Sequence, residues 1–137
     1  MLPLRHARWW RVLSVLILAL VLTVAMSRAI WFLDDLDKAL SWLQNVDKWL
    51  HGFTFVVLSV WFSGLVEKRR YWLVALGLML FGLLVEFCQL QVTYRMADWL
   101  DIVANTLGII VGLTIAVAGL GGWGPRFEDW LSRRYSH

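Results

Sequence analysis

The sequence predicts an all-α integral membrane protein. We read a four-transmembrane-helix bundle, with a short amphipathic helix between the first and second spans and an interfacial C-terminal helix. Three observations predict it. Of 137 residues, 60% are hydrophobic, against about 45–50% in a soluble globular domain. Four apolar runs divide the chain, each close to the ~20 residues that cross a bilayer core. The basic residues and tryptophans gather at the ends of those runs. The length suits a single domain over residues 1–137. A net charge of only +3 gives no basis for a nucleic-acid partner.

The chain opens with Arg5, Arg8 and Arg11 around the pair Trp9–Trp10. The apolar run behind them predicts a first transmembrane helix at about 12–32. The same start resembles a cleaved signal peptide, but the run continues through Trp31 and Leu33 after Arg28, which favours an uncleaved helix. In residues 34–48, Leu36, Ala39, Leu40, Leu43 and Val46 repeat at three-four spacing, the pattern of a helix lying on a membrane. A second span is predicted at about 49–66, closed by Glu67-Lys68-Arg69-Arg70. A third follows at about 71–92, and a fourth at about 100–120 after a short polar loop. Gly108 and Gly112 stand four apart, a spacing that lets helices approach closely. Gly121 to Pro125 end the run, and the tail from Arg126 predicts the interfacial helix. Cys88 is the single cysteine. It is expected to be a buried packing residue.

Four spans put both termini on one side. With both in the cytoplasm, the inside holds Arg5, Arg8, Arg11, Lys68, Arg69, Arg70, Arg126, Arg133 and Arg134. Those nine of the 13 Lys and Arg satisfy the positive-inside rule. The arrangement then brings nine polar residues to the outer half: Asp47, Lys48, His51, Glu86, Gln89, Arg95, Asp98, Asp101 and Asn105. An ionisable group in hydrocarbon costs roughly 2.5–3.5 kcal/mol or more, so their convergence from separate parts of the chain marks a candidate site. Asp98, Asp101, Asn105, Gly108 and Gly112 step by three and four and share one helix face.

These residues also resemble a known family. DKWLH (Asp47 to His51), EFCQ (Glu86 to Gln89) and RMADWLDIVANTLGIIVG (Arg95 to Gly112) are similar in order and spacing to the VanZ-like family of small bacterial membrane proteins. The likeness covers about residues 45–115. Gly52 departs from it, because the family usually has an aromatic after the histidine; Phe53 or Phe55 is expected to take that role. The resemblance implies a multi-pass protein of the bacterial inner membrane and an association with resistance to the glycopeptide teicoplanin.

Several functions fit the constellation. In the first, Lys48, Gln89, Arg95, Asp98, Asp101 and Asn105 bind the headgroup of an envelope lipid or lipid-linked glycan. Arg95, Lys48 and His51 meet its anionic group, and the tail runs between helices where Gly108 and Gly112 leave room. In the second, the chain is an enzyme acting on that headgroup, with His51 as base, Asp47 orienting it and Glu86 as acid. In the third, the polar residues join helices, at about 0.6–2 kcal/mol per contact. No cofactor motif is present. A divalent metal on Asp98, Asp101, Glu86 and His51 is a further option, though the spacing lacks an H-E-x-x-H signature. A transporter would need these few spans to form a homo-oligomer.

Overall fold

The computed structural model describes residues 4–26, 46–91 and 99–134, with the backbone alone at Val46 and Asp47. Residues 34–45 of the amphipathic helix expected at 34–48 lie outside that set, as do Arg95 and Asp98. The described chain is helical throughout, with no strand. It comprises α1 (Ala7–Met26), α2 (Val46–Leu65), a 3-10 turn (Lys68–Arg70), α3 (Tyr71–Leu90), α4 (Trp99–Ile115) with a π turn (Ala116–Leu120), and α5 (Trp123–Arg134). Among the described residues, three stretches are long and apolar enough to cross a membrane: Ala7–Met26, Lys68–Leu90 and Trp99–Leu120. α2 has the length, at 20 residues. Lys48 and His51 near its start make its first turns polar, and it is not among those three.

Most boundaries fall where the apolar runs place them, and three differ. α1 begins at Ala7 rather than 12, because the segment holding Arg8, Trp9, Trp10 and Arg11 is already helical. Val46 and Lys48 open α2 instead of closing an amphipathic helix. α5 starts at Trp123 and carries Pro125 in its first turn, where a missing N–H costs no intrahelical bond. The turn into α5 uses Gly119 at φ 152° and Gly122 at φ 68°, backbone that side chains with a Cβ rarely adopt.

α2 and α4 form the centre and run parallel. Lipid tails are as apolar as leucine, so helices in a bilayer associate by close packing and polar contacts rather than by burial from water. Gly108 and Gly112 serve that approach directly. A Cβ on Gly108 would run into the Gly52 carbonyl, and one on Gly112 would lie 2.5 Å from Ser59 Cβ and 2.6 Å from the Val56 carbonyl. Gly52 is the counterpart of Gly108 through its backbone carbonyl; a Cβ on Gly52 itself would meet only the Ala104 carbonyl, at an ordinary 3.5 Å. Phe55 takes the aromatic role, 2% exposed, whereas Phe53 is 68% exposed. Phe55, Leu58, Val74, Leu78 and Ile109 make the core between α2, α3 and α4.

α1 lies at the edge, with Ser14 its one buried residue. Trp10, Trp61, Trp123 and Phe127 form an aromatic cluster at the end where α2 finishes, with centroids 5.2–6.4 Å apart. Trp61 donates to Ser14 Oγ at 3.0 Å, and Trp123 to the Val60 carbonyl at 3.1 Å. Beside the cluster, Glu128 of α5 reaches across to the start of α1. It accepts the backbone N–H groups of Arg5 and His6 at 2.8 and 3.0 Å and the Trp10 indole N–H at 2.8 Å. The first N–H groups of a helix lack intrahelical partners; here a carboxylate from the far end of the chain supplies them.

Burial pushes the Glu128 carboxyl up, but the bonds from Trp10, Arg5 and His6, with the nearby His6 ring, outweigh it and hold it below the usual range. A carboxyl lowered on folding stabilises fully above its unfolded value, about 4.3. That contribution is lost as pH falls through the lower folded value. Glu128→Gln should therefore unfold more easily at neutral pH, by about 1–2 kcal/mol, the scale of a lost helix cap. Thermal unfolding in detergent checks this, and the variant should lose part of the wild type's extra sensitivity to acid.

Candidate functional site

Because α2 and α4 run parallel, their N-termini meet at one end of the bundle. α3 runs back between their ends and delivers Glu86 to the same place. Lys48 Nζ lies 3.5 Å from Asp101 Oδ1. His51 stands between two α4 residues: Nδ1 is 3.3 Å from Asn105 Oδ1, and Nε2 is 4.0 Å from Asp101 Oδ2. Donor atoms of His51, Glu86 and Asp101 all lie within 4.8 Å of one another.

Five of the nine expected site residues thus form one cluster: Lys48, His51, Glu86, Asp101 and Asn105. Asp101, Asn105 and Glu86 are 2%, 4% and 5% exposed. The Lys48 and His51 side chains keep 23% and 12%, so the cluster opens towards the helix N-termini. Asp101 sits in the first turn of α4, where the positive end of the helix dipole favours a carboxylate. The Asn105 amide nitrogen is buried without a hydrogen-bond partner among the described residues.

Other expected residues stand differently. Gln89 is buried, but its amide N–H goes to the Ala25 carbonyl of α1 at 3.3 Å. Its hydrogen-bond partner is in α1, not in the cluster. The carboxylate seen beside His51 is that of Asp101; the Asp47 side chain is outside the described set, as are Arg95 and Asp98. Cys88 is half-buried rather than buried.

A groove of about 420 Å³ begins at the cluster. Lys48 stands at its head, and Trp49, Phe53, Val56, Leu107 and Val111 line it below. It follows the seam of α2 and α4 on the outside of their contact. The space between the two helices at Gly108 and Gly112, where room for a lipid tail was expected, is closed by backbone, and the groove runs beside it.

Residues 8–120 match the family model for VanZ/LLP1 proteins. The chain belongs to the VanZ/LLP1 family. The match takes in α1 to α4 and every member of the cluster, and leaves α5 outside. No curated protein and no solved structure matches the chain. Family membership and three apolar spans make this a VanZ-like membrane protein. Two features of this VanZ/LLP1 chain escaped sequence reasoning. Glu128 stood next to Asp129 in an arginine-rich tail, with no local pattern to mark it. The small face of α2 had a signal: Gly52, Ser59 and Ser63 step by seven and four.

Proposed function

We propose that this VanZ/LLP1 protein is a four-span protein of the bacterial cytoplasmic membrane, with both termini cytoplasmic, that recognises the headgroup of an envelope lipid or lipid-linked glycan at the outer face. The observation that carries the reading is the joint between a buried polar cluster and an apolar groove, with Lys48 belonging to both. A lipid has those two parts. Its headgroup would lie over Lys48 and His51, at the N-termini of α2 and α4, where helix dipoles favour an anion. One acyl or polyprenyl chain would follow Trp49, Phe53, Val56 and Val111 down the seam. A groove of this size falls in the range of ordinary ligand sites, about 300–1,000 Å³. The arginines of α5 and the Lys68–Arg70 turn lie towards the opposite end, in keeping with a cytoplasmic C-terminus. Altered handling of a cell-wall precursor would be the link to glycopeptide resistance.

A second reading has its own support. The Lys48–Asp101 and His51–Asn105 pairs both cross from α2 to α4, as a purely structural clamp would. Native mass spectrometry of protein gently extracted from bacterial membranes separates the two. Wild type should carry a defined lipid or lipid-linked sugar. Arg95→Ala should lose it, and so should Val111→Trp, which fills the groove from an exposed position. A wild type without a specific adduct, or an equal adduct on Val111→Trp, would discard the headgroup reading.

A further inference from the structure

We propose that a second groove, at the end of the bundle opposite the polar cluster, holds one acidic phospholipid of the adjacent leaflet. The groove has a volume of about 330 Å³ and lies between α1, α2 and α3. Leu18, Phe62, Val66, Leu78 and Phe81 line it, and Arg70 stands at its head. It shares no residue with the groove along α2 and α4, so the proposal does not rest on the headgroup reading.

The course of α1 opens this groove. At one end α1 is tied to α3, by the bond from Gln89 to the Ala25 carbonyl. At the other end it is tied to α2 and α5, by Trp61 on Ser14 and by Glu128 on the backbone of Arg5 and His6. A wedge between α1 and α3 is left at that second end, where Arg70 lies. From Arg70 to Phe81 is about 16 Å at 1.5 Å per residue. That is the depth of one leaflet of a hydrocarbon core about 30 Å thick. The groove therefore suits one acyl chain entering from the Arg70 end.

The charge at its mouth selects the headgroup. Lys68, Arg69 and Arg70 follow one another in the 3-10 turn, all exposed. Glu67 offsets one of these charges, since it accepts a hydrogen bond from Arg69. Arg70 also lies in the field of Glu67, but its guanidinium makes no direct hydrogen bond or ion pair among the described residues. Its planar fork suits two oxygens of a phosphate. α3 starts at this point with no acid in its first turn, so the positive end of its dipole adds to the field. A zwitterionic headgroup brings its own ammonium to that field and gains less than an acidic one.

Gly77 is the independent observation. Glycine inside a helix is destabilising relative to alanine. Elsewhere in the bundle close packing accounts for it: a Cβ on Gly82 would lie 3.2 Å from Phe55 and Asn105, and Gly108 and Gly112 face the backbone of α2. At Gly77 nothing lies within 4 Å of a Cβ, so no helix packs on it. It lines the groove, about 10 Å below Arg70 along α3. A side chain there would project into the path of an acyl chain. The missing side chain has a reason once the chain is in place.

The test uses the full protein, delipidated in mild detergent and titrated with phosphatidylglycerol or phosphatidylethanolamine, with native mass spectrometry as the readout. Wild type should retain one phosphatidylglycerol, with a preference of about tenfold or more over phosphatidylethanolamine. Arg70→Gln should weaken phosphatidylglycerol about fivefold, the weight of one basic residue at an anionic surface. Arg134→Gln removes the same charge from α5, away from this groove, and should change nothing. Gly77→Leu should elute and resist protease as wild type does, because no protein atom meets the new side chain, yet it should lose the lipid. Val111→Trp, which fills the other groove, should keep it. Equal retention of the two lipids by wild type would overturn the proposal, and so would undiminished phosphatidylglycerol on Gly77→Leu. A loss as large from Arg134→Gln as from Arg70→Gln would replace the site with a diffuse charge effect. Loss from Val111→Trp alone would move the lipid to the other groove, and a wild-type dimer that excludes phosphatidylglycerol would make a second copy the occupant; either result discards the site.

Discussion

Gly108→Leu should disassemble the bundle. The obstacle to a side chain at Gly108 is the backbone of Gly52, with Phe55 Cβ at 3.0 Å beside it. A flexible neighbour can rotate away, but a helix backbone cannot. Overpacking ordinarily costs about 1–3 kcal/mol, and this case lies at or above the top of that range, because α2 and α4 must separate along their shared seam. The purified variant should elute as aggregate in mild detergent and lose protection from protease. The same change at Gly77 is the control. Nothing lies within 4 Å of a Cβ there, so Gly77→Leu should behave as wild type. A Gly108→Leu protein with wild-type stability would mean that the α2–α4 contact is not the centre of the fold.

The second large effect concerns the Lys48–Asp101 pair. Lys48→Met leaves the Asp101 carboxylate, 2% exposed, without its ammonium. Breaking a buried pair from one side costs about 3–5 kcal/mol. Asp101→Leu should cost less, because the Lys48 side chain, 23% exposed, can carry its charge out to water. The double variant should recover most of the loss, since two apolar groups replace a paired charge at little or no cost. Thermal unfolding of all four proteins gives the coupling directly. The double variant also divides the functional readings. If the cluster were only a clamp, Lys48→Met/Asp101→Leu would be stable and fully functional in cells. Stable protein with lost function and no lipid adduct is the expected result.

Much of this was legible because a bilayer leaves few choices. Runs of about 20 apolar residues ending in Lys, Arg or Trp predicted α3 and α4 almost to the residue. Three-four spacing likewise put Asp101 and Asn105 on one face of α4. Spacing gives the face but not the facing helix. Asp47 was the expected partner of His51 because it lies four residues away; its side chain lies outside the described residues, and Asp101, from another helix, stands 4.0 Å from the ring. Gln89 was grouped with Glu86 because they are three apart. At 3.6 residues per turn that leaves them about 60° apart, enough to send Gln89 to α1 and Glu86 to the cluster. Gly108 and Gly112 allowed two readings, close approach or space for a tail; only the position of Gly52 and Ser59 decides between them. Glu128 was not legible at all, because its partners are backbone groups more than 120 residues away.

The parallel pairing of α2 with α4 also sets an order of events during synthesis. Lys48 and His51 emerge from the ribosome ahead of the residues that accept them, by 53 positions for Asp101 and 54 for Asn105. At about 5–20 residues per second, the head of α2 waits roughly 3–10 s before its partners exist. During that interval α2, with Lys48 and His51 in its first turns, has no α4 to shield its polar end. It must stay near water or the insertion machinery while α3 is made. A nascent chain arrested before Asp101 should therefore leave α2 open to water-soluble labelling at its N-terminal end, and extension through Asn105 should close it.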